Sequence, residues 1–424
     1  MMRIRPSQLG YLPLLVAATA LMMVRIAVMA RLLDVRGFGL YSAALLVSTT
    51  FCMLACLGLQ PLLQRDMPVM AARGRMRRPL VLIAQAVLVA CGCASLALLL
   101  ALARIPMAGL AGWLLAIAVI HGLSQQLFLV ATVESRSLSQ PGRYAVQNLV
   151  RAVLLTIAST ALALVTRSPG VVLAVEAGIS LVLAGAIFQR ICEAHGVGFD
   201  PLVALAWRRL PRANWDTALV FLAITLVVSA VQYADRWFSA SMLPASVFAQ
   251  YAFAAIAILV AQSAQAMINA SVYPALSRRF AFEGEAVTFA LSARVSLALF
   301  AAGTVLCVPA YFLVAFAVGR FYAAYAPALA ILPLLLAVSV LRVSDFWSSF
   351  LMICGYERQL LATQLVAGAG VCAIWFGYID LRGTPATIDD CAWLALSLAV
   401  ATYAAAAGAA WLAHHRQMPA KVAA

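Results

Sequence analysis

Apolar runs of about 20 residues, the length at which a helix crosses a bilayer, recur from one end of this chain to the other. The pattern predicts twelve helical spans, over residues 9–33, 38–63, 79–103, 108–133, 144–166, 170–190, 214–234, 244–272, 288–318, 329–352, 359–379 and 391–413. Polar residues gather in the short stretches between them. The longest are the basic stretches near 64–78 and 191–213, and the longest on the opposite side, near 380–390, has about eleven residues. None is long enough for a soluble catalytic domain. A transmembrane barrel would alternate polarity in roughly ten-residue segments, and that pattern is absent.

Composition agrees with the pattern. Hydrophobic residues make up 65% and charged residues 10% of the 424, far from a soluble domain. The expected class is an all-α integral membrane protein. The net charge is +14. In a soluble protein that would suggest nucleic acid. Here the cations flank the spans and no aromatic-basic module is visible, so no nucleic-acid partner is expected and the charge instead sets orientation.

With the N-terminus in the cytoplasm, the inner segments carry Arg3, Arg5, Arg65, Arg73, Arg75, Arg77, Arg78, Arg136, Arg143, Arg190, Arg208, Arg209, Arg212, Arg278, Arg279, Arg358, Arg416 and Lys421. The outer ends carry only Arg31, Arg36, Arg104, Arg167, Arg236, Arg320 and Arg382. Both termini are therefore expected to be cytoplasmic. Arg3 and Arg5 precede a long apolar run without a small-residue cleavage site, so the first span reads as a retained helix, not a signal peptide. Nine cysteines are scattered, mostly inside spans. Cys52 and Cys56 share a helix face but have no second pair and no nearby histidine, so they read as packing residues. No metal and no cofactor are expected, and no nucleotide loop or nucleophile triad is visible.

The chain repeats itself. Leu33–Gly74 begins LDVRGFGLY and ends in QRDMPVMAARG. At an offset of 210 residues, Leu243–Gly284 begins LPASVFAQY and ends in PALSRRFAFEG. The offset places Leu33 on Leu243, Phe38 on Phe248, Tyr41 on Tyr251 and Gly74 on Gly284. Six spans per half make the repeats parallel, related by an axis along the membrane normal, with a substrate site between the halves. The expected bundles are residues 1–190 and 214–424, joined by a cytoplasmic linker, 191–213. Gly37 and Gly39 are expected in a tight outer turn, with Pro244 at the corresponding turn where the repeat places Asp34. Pro309 and Pro333 fall inside spans nine and ten, as hinges or static bends.

Charged groups deep in spans are costly and tend to face a cavity or a partner. Arg25 lies two turns inside span one, and the offset places Asp235 at the equivalent point of span seven, beside Gln232. The two would face each other across the central axis, as a gate or binding pair or as a structural ion pair. Arg151 follows Gln147 by one turn in span five, a face suited to phosphate or to snorkelling. Arg294 has the same two readings nearer the inner end. Glu176 is a lone carboxylate in span six, a proton carrier or an interfacial group. Arg342 and Asp345, three apart, read as a pair on one helix face. Gln262, Gln265 and Asn269 run down one face of span eight, as cavity groups or interhelical hydrogen bonds. His121 with Gln125 reads as a satisfied packing histidine. The candidate cavity set for a diphosphate or sugar is Arg25, Arg151, Gln147, Arg294 and Gln232, with Asp235 and Glu176 for gating or ion coupling.

ARLLDVRGFGLY, followed by a span and LGLQPLLQRD, resembles the start of the polysaccharide transporter family. YADRWFSASMLPASVFAQYAFAAIAIL and YPALSRRF are similar to that family's seventh and eighth helices. These are the lipid-linked oligosaccharide (O-antigen) flippases of the multidrug/oligosaccharidyl-lipid/polysaccharide, MATE-like, exporter superfamily. The resemblance implies two six-helix bundles forming a V around a central cavity. It implies a flippase, not an enzyme, carrying an undecaprenyl-diphosphate-linked oligosaccharide across the bacterial inner membrane by alternating access. The product would be O-antigen, capsule or exopolysaccharide, and the partners membrane lipids and the polysaccharide polymerase and chain-length machinery. Asp34 and Arg36 depart from the family's outer turn. Three rivals remain: an exporter of another cargo, which for a cation should carry more cavity carboxylates than arginines; a membrane polysaccharide polymerase or ligase, which typically carries a long external loop; and a non-transporting interaction protein, in which deep arginines would be costly without purpose.

Overall fold

The computed structural model describes residues 10–72, 77–102, 109–137 and 140–422. Arg3, Arg5, Arg73, Arg75 and Arg104, and the side chains of Arg278, Arg416 and Lys421, lie outside the described residues. Most of the described residues are helical, with no strand among them, and twelve helices are long and apolar enough to cross a membrane. The chain is a multi-pass, all-α membrane protein. Large apolar side chains such as Leu99, Val165, Val182, Phe312 and Val366 are exposed along these helices, an arrangement for a bilayer and not for water.

The chain divides into two compact units, Met1–Leu226 and Val227–Ala424. The first contains α1 (Leu12–Leu32), α2 (Val35–Leu54), α3 (Leu59–Ala72), α4 (Arg77–Leu102), α5 (Gly112–Ser137), α6 (Pro141–Thr166), α7 (Pro169–Ala194) and α8 (Phe199–Arg209). Helix α9 (Trp215–Met242) begins in the first unit and ends in the second. α1 packs on α6, while α5 sits among α2, α4 and α7. Leu59, Leu62 and Leu63 of α3, Ile83 of α4 and Phe128 of α5 form a core that extends to Leu202 and Ala206 of α8.

The second unit contains α10 (Ala245–Ala254), α11 (Ile256–Glu283), α12 (Glu285–Phe321), α13 (Ala328–Ser344), α14 (Trp347–Ile353), α15 (Glu357–Arg382) and α16 (Ile388–Val422). α13 is its central helix, packed against α11, α12 and α16. Phe289, Trp347 and Phe350 make an aromatic cluster, capped by His414 stacked on Phe289 at 4.5 Å.

Several expectations need local correction. Gly37 and Gly39 are not in a turn, because helix α2 already begins at Val35. Asp34 is its N-cap and accepts the Gly37 N–H at 3.1 Å, satisfying one donor at the helix start. Pro244 holds the corresponding N-cap position of α10. Asp34→Ala should cost about 1 kcal/mol, seen as a lower melting temperature with unchanged helix content.

Span two is not continuous either: it breaks at Ala55–Gly58, where Leu57 (φ 46) and Gly58 (φ 82) turn left-handed. Residues 64–72 and 77–78 of the first basic stretch are helical, and 191–213 holds the end of α7, all of α8 and a 3-10 turn, Leu210–Arg212. Pro309 and Pro333 both lie inside helices, α12 and α13.

Candidate functional site

Five helices of the first unit converge on one buried carboxylate. Arg25 from α1 forms an ion pair with Glu176 Oε2 from α7, and these residues are 3% and 0% exposed. His121 Nε2 from α5 lies 3.3 Å from the same oxygen. Tyr41 from α2 donates its hydroxyl to Oε1 at 3.0 Å, and Ser159 from α6 does so at 2.7 Å. Ser48 meets the far ring nitrogen of His121 at 2.7 Å. A neutral ring suffices, donating Nε2–H to Glu176 while Nδ1 accepts the Ser48 hydroxyl.

Glu176 is therefore not a lone carboxylate but one surrounded by four donor groups. Arg25 finds its counter-charge within its own bundle and not in Asp235. The physical reason is desolvation: a buried charge needs a close partner, and the packing of α1 on α6 and of α5 on α7 carries these side chains to one centre.

Arg151, on α6, has a different environment. Its Nε donates to Ser180 Oγ at 3.2 Å, one turn beyond Glu176 on α7. Its guanidinium lies over the Phe128 ring at 4.5 Å. Its Nη2 is buried with no hydrogen-bond partner. Gln147, one turn earlier, accepts from Ser135 Oγ at 2.7 Å, so its side chain is tied to α5. Two guanidiniums, Arg25 and Arg151, thus lie near Glu176, while a second buried carboxylate of the bundle, Glu134 of α5, pairs with Arg143 at 3.2 Å.

The second unit repeats the arrangement with the charges exchanged. Asp235 of α9 is wholly buried and accepts the Tyr251 hydroxyl at 2.5 Å. Arg342 Nη2 from α13 lies 3.6 Å from its other oxygen, and Arg342 Nη1 donates to the Gln232 carbonyl at 3.1 Å. The Gln232 side chain itself belongs to an exposed residue.

The expected Arg342–Asp345 pair does not form. The helix breaks after Ser344, which removes the three-residue spacing on one face, and Asp345 instead accepts from Ser348 N–H at 3.2 Å and Ser348 Oγ at 2.7 Å. Gln265 donates to the Asp345 carbonyl at 3.3 Å, and Ser349 donates to Asn269 at 3.4 Å, so two members of the polar face of span eight make interhelical hydrogen bonds. Arg294 is exposed and, with Arg279, lines a groove of about 330 Å³ between α11 and α12.

The repeated tyrosines acquire a role from this geometry. Tyr41 and Tyr251, equivalent under the 210-residue offset, are both wholly buried, and each donates to the buried carboxylate of its own bundle. Sequence reasoning singled them out as repeat markers only. Their spacing in F-x-x-Y after a helix start was the available signal. Ser48 and Ser159 carried none. Tyr251→Phe should cost about 1.5–3 kcal/mol, the value of a hydrogen bond to a charged group. Tyr41→Phe should cost less, because Ser159, Arg25 and His121 still hold Glu176. Parallel melting curves of the two variants check the order.

Superposition on the crystal structure of the eukaryotic MATE transporter AtDTX14 gives a TM-score of 0.60, covering 97% of this chain and 98% of that one at 11% identity. The two proteins share a fold. No protein-family model matches the chain, and no curated protein matches it in sequence. The MATE-like likeness is thus one of helix arrangement, carried by all twelve spans and not by shared residues.

Proposed function

We propose that this chain is a flippase for an undecaprenyl-diphosphate-linked oligosaccharide, moving it from the cytoplasmic to the periplasmic leaflet of a bacterial inner membrane. The observation that carries the reading is Arg151 of the first bundle, one turn along α7 from the Arg25–Glu176 pair, with one buried guanidinium nitrogen that has no hydrogen-bond partner. A planar guanidinium suits a phosphate better than any other side chain, and an exporter of cations would favour carboxylates instead. Arg151 is the diphosphate contact, with Gln147 beside it on α6. The pairs of Arg25 with Glu176 and of Arg342 with Asp235 hold each bundle in register and open when access alternates. Arg294 and Arg279 meet the lipid phosphates at the inner leaflet. No bond is made or broken in the cargo, so the chain acts as a transporter and not as an enzyme. The excess of arginine on one side of the spans supports cytoplasmic termini. Polymerase and chain-length proteins would take up the delivered units, for O-antigen, capsule or exopolysaccharide.

A second reading follows from the shared fold: export of another cargo, since the solved structure is that of a MATE transporter. Proteoliposomes separate the two. Full-length protein should move a fluorescent lipid-diphosphate oligosaccharide between leaflets, and Arg151→Ala should slow it by about ten- to a hundredfold, the equivalent of about 1.5–3 kcal/mol. Arg151→Lys should recover only part of the rate, because an ammonium cannot bind bidentately. A full rate with Arg151→Ala would remove the diphosphate contact. An inert lipid substrate, with transport of a small organic cation in the same vesicles, would favour the second reading.

A further inference from the structure

Between the sixth and seventh spans, α8 lies on the arginine-rich end of the first unit. Leu202 and Ala206 are buried against α4, and Gln85 donates to the Ala206 carbonyl at 3.4 Å. The α4 residues it covers, Leu80 to Gln85, lie roughly 4–12 Å along the helix from Arg77, at 1.5 Å per residue. That is the depth of a headgroup and upper acyl region, where amphipathic helices lie in the plane of the membrane.

The uncovered side of α8 is neither plainly apolar nor plainly polar. Trp207 is 66% exposed, and Leu205 is exposed beside it. Arg208, Arg209 and Arg212 are exposed at its C-terminal end, joined by Arg77 and Arg78 from α4 and Arg190 from α7. Among the described residues none of these six arginines belongs to an ion pair. Nearby carboxylates are fewer: Glu134, Glu193, Asp200 and Asp216, of which Glu134 pairs with Arg143 at 3.2 Å and Glu193 accepts from Gln189 at 2.9 Å. A groove of about 540 Å³ lined by Phe188, Val197 and Phe199 opens where α7 meets α8. An exposed indole beside unpaired guanidiniums, with apolar volume at the same level, matches an amphiphile with an anionic head.

We infer that α8 is an interfacial anchor that binds anionic phospholipid, with Trp207 in the acyl boundary and Arg208, Arg209 and Arg212 on the headgroup phosphates. The site is separate from the transported cargo and does not depend on its identity. It ties the stretch between the two bundles to the membrane surface, so the local lipid charge bears on the start of α9.

The test uses full-length protein in phosphatidylcholine nanodiscs containing a minor fraction of either brominated phosphatidylglycerol or brominated phosphatidylcholine. Trp207 emission is read as the difference between wild type and Trp207→Phe. Quenching should favour the anionic lipid, by a local enrichment of about fivefold for each arginine engaged. Raised ionic strength should erase the preference in the wild type. Arg208→Gln, Arg209→Gln and Arg212→Gln together should erase it at low salt while quenching by brominated phosphatidylcholine persists. Equal quenching by the two lipids in the wild type, or a preference that survives both salt and the triple substitution, would overturn the lipid site. Absence of any quenching would place α8 in water and overturn the anchor as well. The salt arm needs no variant, so a triple variant that fails to fold leaves the test intact.

Discussion

Glu176→Ala is expected to destabilise the first bundle by about 3–5 kcal/mol, the usual cost of removing one partner from a buried ion pair. The change leaves Arg25, 3% exposed, with no counter-charge of its own, and deprives the hydroxyls of Tyr41 and Ser159 and the ring of His121 of their acceptor. In cells the loss should appear as low membrane abundance, and in detergent as a large drop in melting temperature. Glu176→Gln should recover little, since an amide accepts from Tyr41 and Ser159 but cannot neutralise Arg25. Replacing the pair together, Arg25→Met with Glu176→Leu, should restore only part of the stability, because it removes the unpaired charge but still leaves Tyr41, Ser159 and His121 without their acceptor. Transport by that double variant then separates two roles. A stable, inactive protein would mean the pair works in gating, and a stable, active one would mean it only holds helices together. Wild-type melting of Glu176→Ala would show that the bundle does not rest on this pair.

Gly58→Ala should be of similar severity for a different reason. Gly58 sits at φ 82 in the break between α2 and α3, and a Cβ there would meet the Ala218 carbonyl oxygen at 1.8 Å and the Leu222 N–H nitrogen at 3.0 Å. Both are backbone atoms of α9, so no side-chain rotation relieves the clash. The left-handed backbone alone costs a non-glycine residue roughly 1–3 kcal/mol, and displacing the first turn of α9 adds to it. A total above about 3 kcal/mol is expected. Gly408→Ala is the control: it lies inside α16 with nothing within 4 Å of the added carbon, and alanine there should be neutral or stabilising by up to about 1 kcal/mol. Melting curves should place Gly58→Ala well below wild type and Gly408→Ala at or above it.

The spans were legible because a bilayer demands about 20 apolar residues in one run, and this chain supplies twelve such runs. That Arg25 and Arg342 lie inside spans was legible for the same reason, while Glu176 stayed open between a proton carrier and an interfacial group. Their partners were not. Symmetry of the repeat pointed from Arg25 to Asp235, but partner choice depends on which helices pack together, and periodicity along one helix carries no such information. Arg342 and Asp345 failed as a pair for a related reason: the spacing rule assumes a continuous helix, and α13 stops at Ser344. Asp34 could have been read better. An aspartate directly before a helix start is an N-cap signal, and it makes the glycines that follow part of the helix and not of a turn. Tyr41 and Tyr251 were found by the repeat, yet only the fold revealed that each hydroxyl addresses a carboxylate from elsewhere in its bundle.

The most direct measurement is made on membranes of a strain from which this gene has been removed, by mass spectrometry of undecaprenyl-diphosphate-linked oligosaccharide together with its leaflet. A flippase role requires complete, unpolymerised units to accumulate on the cytoplasmic side, with wild-type protein restoring their export and Arg151→Ala failing to do so. Complete units accumulating on the outer side, or no change in either leaflet, would contradict it.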